Sequence, residues 1–168
     1  MSIIKHKDQR VAVLIDAQNM YHSAKNIYKA RVNFKEILKT AVAGRKLIRA
    51  VAYVIRTETG EEKTFFKALI GMGIETKVKD LQIFYGGMKK ADWDVGIAVD
   101  AIKLSPQLDA LVLVTGDGDF LPLVEYLKGY GRQIEIIAFG ESASAKLKET
   151  ADDFIDLGEN KSKYLFKK

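Results

Sequence analysis

The run Val11-Ala12-Val13-Leu14-Ile15, closed by Asp16, constrains this chain more than any other segment. A strand with one wetted face alternates apolar and polar side chains; an unbroken apolar run has no wetted face and reads as a strand covered on both sides. Similar runs recur at Leu47 to Ile55, Ala110 to Val114 and Ile134 to Ala138. Between them lie segments with helical spacing, such as Phe65, Leu69 and Met72, preceded by the capping-box pattern Thr59-Gly60-Glu61-Glu62. Short strands are expected at Glu75 to Val78 and Gln82 to Tyr85, with an edge strand at Phe154 to Leu157. Strands and helices therefore alternate. Parallel neighbours need crossovers, and right-handed ones dominate, so the expected fold is α/β: a Rossmann-like three-layer α/β/α sandwich with a mostly parallel central sheet.

With 168 residues, 48% of them hydrophobic, the chain can bury one sizeable core and is too short to divide comfortably. A single domain is expected over 1–168, with its core at about 10–157 and a short basic tail at 159–168. No Gly/Ser-rich linker or repeat interrupts it. No apolar run approaches a membrane span, and the opening MSIIKHKDQR lacks a signal peptide's apolar stretch, so a soluble, cytoplasmic protein is expected. Cysteine is absent, which excludes disulfides, thiolate metal sites and cysteine nucleophiles together. The formal charge of +5 favours polyanions only where it is segregated on one face. The acids gather in three tracts and leave Lys89-Lys90 and Lys161-Ser162-Lys163 basic.

Open sheets of this type bind ligands outside the carboxyl ends of their strands, where strand order reverses. Carboxylates are concentrated in the tracts expected there. Asp16-Ala17-Gln18-Asn19 follows the first strand, Thr115-Gly116-Asp117-Gly118-Asp119-Phe120 follows a later one, and Lys89-Lys90-Ala91-Asp92-Trp93-Asp94 leads into a helix. Converging carboxylates repel one another unless a cation or shared proton neutralises them. Oxygen-only donors, with no histidine in the tracts, point to Mg²⁺ or Mn²⁺ rather than Zn²⁺. One or two such ions suit phosphoryl transfer, because they lower the pKa of water and neutralise charge on the scissile phosphate.

Each acid has a competing local role, since aspartate at a strand-to-helix turn is favoured for backbone reasons alone. Asp119, just before Phe120-Leu121-Pro122, is the best N-cap candidate. At about 100° per residue, Asp94 and Asp100 lie roughly 120° apart on a helix and do not share one ion directly. Asp94 is preferred as ligand, Asp92 is its rival, and Asp100 takes a supporting position. The stripe Val95, Ala98, Val99 and Ile102 is expected to pack on the sheet. Asn19 is balanced between phosphate positioning and helix capping. Lys89 and Lys90 are candidates for phosphate contacts, and Trp93 and Tyr85 for stacking on exposed bases, against the plainer readings of solvated lysines and core aromatics. His6 and His22 stand apart and support no histidine chemistry.

The tracts Val13-Leu14-Ile15-Asp16-Ala17-Gln18-Asn19, Ala91-Asp92-Trp93-Asp94-Val95-Gly96-Ile97-Ala98-Val99-Asp100 and Leu113-Val114-Thr115-Gly116-Asp117-Gly118-Asp119-Phe120, in this order, resemble the NYN domain, and within it the LabA-like group of the PIN-like nucleases. The resemblance spans roughly residues 10 to 157. It implies a PIN-like fold and metal-dependent ribonuclease chemistry on RNA, with single-stranded RNA the expected substrate. Asp16, Asp94 and Asp117 look like metal-binding acids, Asn19 and Asp119 like accompanying catalytic residues, and Thr115 like a hydrogen-bond donor beside them. Many relatives carry one aspartate before the helix where this chain has Asp92 and Asp94. Some members of the group are regulators, so a non-catalytic RNA- or protein-binding role is the alternative. A homo-oligomer or a protein partner is compatible with the sequence.

Overall fold

The buried runs and helical segments alternate through the chain, as the computed structural model shows for residues 3–60, 62–83, 86 and 89–166. The first half comprises β1 (Arg10–Asp16), α1 (Ala17–Tyr28), β2 (Arg31–Val32), α2 (Phe34–Val42), β3 (Lys46–Arg56), α3 (Lys63–Gly71) and β4 (Glu75–Asp80). After the short strands β5 (Gln82–Ile83) and β6 (Lys89–Lys90) come α4 (Asp94–Leu104), β7 (Ala110–Val114), α5 (Leu121–Gly129) and β8 (Gln133–Ala138). The chain continues through α6 (Ala145–Thr150), β9 (Asp153–Asp156), α7 (Lys161–Tyr164) and β10 (Leu165–Phe166).

Six strands form one sheet in the order β4-β3-β1-β7-β8-β9, each pair parallel. Successive crossovers move outward from β1 to β3 and β4, then outward the other way from β7 to β8 and β9. Strand order thus reverses between β1 and β7, the crevice at which such sheets bind ligands. Every residue of β7 is buried, so both faces of the sheet are covered, as the unbroken apolar run predicts. α2 and α4 both pack against β1, and α5 packs against β8. The edges β4 and β9 are half-exposed and carry charges, Glu75, Lys77, Lys79 and Asp80 on one and Asp153 and Asp156 on the other, which discourages edge-to-edge pairing. Among the described residues, no helix is long and apolar enough to cross a membrane.

Three local expectations need correction. α3 starts at Lys63 without a side-chain cap; Glu62 instead accepts the Thr57 hydroxyl at 2.6 Å, and Glu61 of the expected capping box lies outside the described residues. Asp119 does not cap α5. The residues Gly118–Phe120 form a 3-10 turn whose cap is Asp117, its carboxylate accepting the Asp119 N–H at 2.9 Å. On α4 the buried face is Ile97, Ala101 and Leu104, whereas Val95, Val99 and Ile102 are exposed, Val95 by 77%. Both stripes are apolar at helical spacing, so periodicity cannot choose between them.

Near the amino ends of the strands, Arg45 and Glu135 form an ion pair with side chains 0% and 1% exposed. The two bonds of the guanidinium fork to the carboxylate are each 2.8 Å. Arg45 also donates to the Ala41 and Val42 carbonyls at the end of α2 and to Gln9. The pair therefore ties the α2 terminus, the approach to β1 and strand β8 together, at the end of the sheet remote from the acidic tracts.

Candidate metal centre at the strand switch point

Three carboxylates converge beyond the carboxyl ends of the central strands. Asp94, Asp117 and Asp119 each offer one oxygen, and these oxygens all lie within 4.8 Å of one another. Asp94 is the first residue of α4, while Asp117 and Asp119 sit on the turn after β7. The 3-10 turn is what carries Asp119 into the cluster, a contribution beyond its expected half-share as a helix cap. Gly116 suits this sharp turn, because a Cβ there would stand 3.0 Å from the Ala143 backbone.

Asp16 closes β1 beside this cluster, with both oxygens engaged. One accepts the Asn19 N–H at 3.2 Å, capping α1; the other accepts the Thr115 hydroxyl at 3.2 Å. Thr115 in turn accepts the Asp117 N–H at 3.2 Å, so a single buried hydroxyl fixes the spacing of Asp16 and Asp117. The Asn19 side-chain carbonyl accepts the Gly116 N–H at 3.0 Å and binds α1 to the β7 turn. Asp16, Asn19 and Thr115 thus share one hydrogen-bonded frame across the switch point.

Around α4 the acids separate. The Asp92 carboxylate is exposed and accepts the Asp94 N–H at 3.1 Å, serving the helix start, while Asp94 joins the cluster. Asp100 lies outside it: its carboxylate takes the Tyr53 hydroxyl and the Lys77 ammonium, each at 2.7 Å, and holds α4 to β3 and β4. Trp93 is likewise engaged locally. Its indole N–H donates to the Val54 carbonyl at 2.9 Å, its ring meets Tyr53 at 5.3 Å, and Lys79 lies 4.4 Å over it. A Cβ on Gly96 would approach that ring to 2.5 Å, so glycine is what lets the indole lie against the first turn of α4. The Lys89 and Lys90 side chains and the whole of Tyr85 lie outside the described residues.

The cluster carries uncompensated charge. Among the described residues, Asp16, Asp92, Asp94, Asp117 and Asp119 form no ion pair with lysine or arginine. Burial, reinforced by Asp117, Asp92, Asp16 and Asp119, pushes the Asp94 carboxyl up to about 6. Burial likewise pushes Asp16 up to about 6, against the lowering bonds from Asn19 and Thr115 and with the charges of Asp117 and Asp92 adding to the rise. A set of oxygen donors with unpaired negative charge fits a hard divalent cation such as Mg²⁺ or Mn²⁺.

A pH signature follows in metal-free protein. The folded pKa of Asp16 stands above the ordinary 3.8, so between about pH 4 and pH 6 the folded state retains a proton that the unfolded chain releases. Stability accordingly falls as pH rises through that window, and the penalty is complete above it. At about 1.4 kcal/mol per pKa unit the Asp16 share is on the order of 3 kcal/mol. Thermal melts of EDTA-treated wild type and Asp16→Asn across this range test it: the variant gains on the wild type as pH rises, and a pH-independent difference refutes the assignment.

A parallel α/β sheet with carboxylates gathered at its switch point places the molecule in the class of PIN-like nuclease folds. The chain belongs to the NYN domain family, whose model matches residues 10–158. It is 24% identical over 171 residues to the low amplitude and bright protein LabA of Synechococcus elongatus, covering 93% of this chain and 88% of LabA. An uncharacterized protein of Methanocaldococcus jannaschii is 30% identical over 157 residues, covering 90% of this chain and 57% of that protein. Among solved structures, a Vibrio parahaemolyticus protein of unknown function superposes with a TM-score of 0.86 at 29% identity, covering 98% of this chain and 100% of its own.

Proposed function

We propose that this domain is a metal-dependent ribonuclease that hydrolyses phosphodiester bonds in single-stranded RNA. The observation that carries the reading is the approach of Asp94, Asp117 and Asp119 oxygens to within 4.8 Å of one another at the switch point. Those acids, with Asp16 beside them, would hold Mg²⁺ or Mn²⁺. When bound, the cation lowers the pKa of water and neutralises charge on the scissile phosphate. The chain's own residues fix the arrangement: the Thr115 hydroxyl donates to Asp16 while accepting the Asp117 N–H, and Asn19 anchors the Gly116 backbone between them. Asp92 orders the first turn of α4 and Trp93 braces it, so that Asp94 is presented to the pocket rather than to the sheet.

Attack of water on phosphorus with departure of the 3′-oxygen leaves a 5′-phosphate and a 3′-hydroxyl. Lys89, Lys90 and the Lys161 to Lys163 segment supply phosphate contacts, which give little sequence preference and weaken as salt rises. A reducing, cytoplasmic compartment is compatible with a cysteine-free chain, and a homo-oligomer or a protein partner is compatible with this reading.

Purified protein incubated with end-labelled single-stranded RNA and Mn²⁺ is expected to yield 5′-phosphorylated fragments, and EDTA is expected to stop the reaction. Asp16→Asn and Asp117→Asn should each abolish it. Cleavage undiminished in both variants rejects this site, and binding without cleavage by the wild type identifies an RNA-binding regulator that retains the fold.

A further inference from the structure

The apolar stripe of α4 that faces away from the sheet is not an isolated exposed patch. Val95, Ala98 and Ile102 of α4 stand across from Pro122 and Tyr126 of α5, and the groove between the helices has a volume of about 380 Å³. Asp94 and Asp119, two of the clustered acids, belong to the same groove. Tyr126 is 48% exposed and packs against Tyr130, whose ring centroid lies 4.9 Å away at a tilt of 54°.

We infer that this groove receives an unpaired nucleobase of the RNA strand, adjoining the phosphate that would sit at the cation held by the acidic cluster. The inference rests on the ribonuclease reading for the position of that phosphate. Continuity decides the occupant: Asp94 and Asp119 themselves line the groove, so a phosphodiester at the cation they would hold leaves a neighbouring nucleoside within reach of it. The size agrees, since the groove falls in the range of small-ligand sites rather than of the broad patches that proteins bury against each other. Apart from Asp94 and Asp119 its lining side chains are apolar or aromatic, and they offer a base an aromatic ring and aliphatic groups rather than a hydrogen-bonding code. Stacking of this kind accepts any base but requires that the base be unpaired. The groove thereby supplies a physical reason for single-strand preference, a role that Trp93 is poorly placed to fill with its indole committed to Val54 and Lys79.

The test compares wild type, Tyr126→Ala and Tyr126→Phe in Mn²⁺-dependent cleavage of single-stranded RNA, with matching substrates that carry an abasic residue at successive positions. Tyr126→Ala should raise KM about tenfold with kcat little changed, the order carried by one base stack, and Tyr126→Phe should restore it. One abasic position beside the cleaved bond should cost the wild type as much, yet cost Tyr126→Ala nothing further. An unchanged KM, or additive losses, overturns the inference. Should the wild type prove inactive, the ribonuclease reading fails by itself, and fluorescence anisotropy of labelled RNA in Mn²⁺ becomes the readout: affinity about tenfold weaker in Tyr126→Ala sustains the groove, and equal affinity overturns it. Sedimentation is run alongside. A dimer that Tyr126→Ala dissociates without altering RNA affinity assigns the groove to a second copy of the chain and overturns the inference as well.

Discussion

Asp94→Asn is expected to reduce Mn²⁺-dependent RNA cleavage by a factor on the order of 10² to 10³ while making the metal-free protein more stable at neutral pH. The two effects have one cause. The Asp94 carboxyl is pushed up to about 6 by burial and by four neighbouring aspartates, so at pH 7 its charge is held against a local preference for the neutral form. An amide of nearly the same shape removes that repulsion and, with it, the charge that attracts a cation. Loss of activity together with a raised melting temperature is the signature of a residue placed for function at the expense of stability. Asp92→Asn supplies the contrast, because its exposed carboxylate accepts the Asp94 N–H and an asparagine carbonyl can do the same. It should retain most activity and gain little stability. Equal loss in the two variants, or an Asp94→Asn protein that melts lower than wild type and still cleaves, would reverse the ranking of these acids.

How far such a pocket can be read from the sequence depends on what kind of interaction places each residue. Asp16 and Asp117 are legible because unbroken apolar runs locate β1 and β7, and a parallel sheet brings the carboxyl ends of neighbouring strands to one rim. The closeness of Asp119 to Asp94 depends instead on a 3-10 turn set by the Asp117 cap, a local choice that the pattern Gly116-Asp117-Gly118-Asp119 leaves open between turn and helix. Asp16, expected among the three ligands, has both oxygens occupied within the protein, one of them by Thr115, 99 residues away. Asp100 leaves the pocket for a similar reason: Tyr53 and Lys77 come from strands whose register against α4 no spacing rule predicts. The groove is hidden by a symmetry of composition, since Val95-Ala98-Ile102 and Ile97-Ala101-Leu104 are both apolar at helical spacing, and the contacts that turn the second stripe inward, Trp93 with Val54 and Asp100 with Tyr53 and Lys77, are long-range. A tyrosine on α5 opposite an apolar stripe beside an acidic turn is the signal that could have revealed it.

Arg45→Ala is expected to be the most destabilising single substitution outside the apolar core, at about 3 to 5 kcal/mol. The pair it breaks spans 90 residues of sequence and lies out of contact with water. Removing the guanidinium leaves Glu135 buried with only Gln133 at 3.0 Å and the more distant Lys5 at 3.7 Å, and also deprives the Ala41 and Val42 carbonyls at the α2 terminus of their donor. For a domain of this length each kcal/mol moves the midpoint by about 2–4 °C, so a fall on the order of 10 °C is expected. Arg45→Lys should recover little of it, because an ammonium cannot reproduce a fork that meets two carboxylate oxygens and two carbonyls at once. The double variant Arg45→Met with Glu135→Leu should recover most, since it removes both charges and with them the desolvation cost that a lone buried carboxylate suffers. Melting curves of wild type, Arg45→Met, Glu135→Leu and the double variant form a cycle. A strong coupling between the two sites is expected, and additive losses would show that packing, rather than the ion pair, is what Arg45 contributes. Because the pair sits at the end of the sheet remote from the acids, Arg45→Ala assayed well below its melting point should still cleave RNA at the wild-type rate, which separates holding the strands in register from the chemistry at their opposite ends.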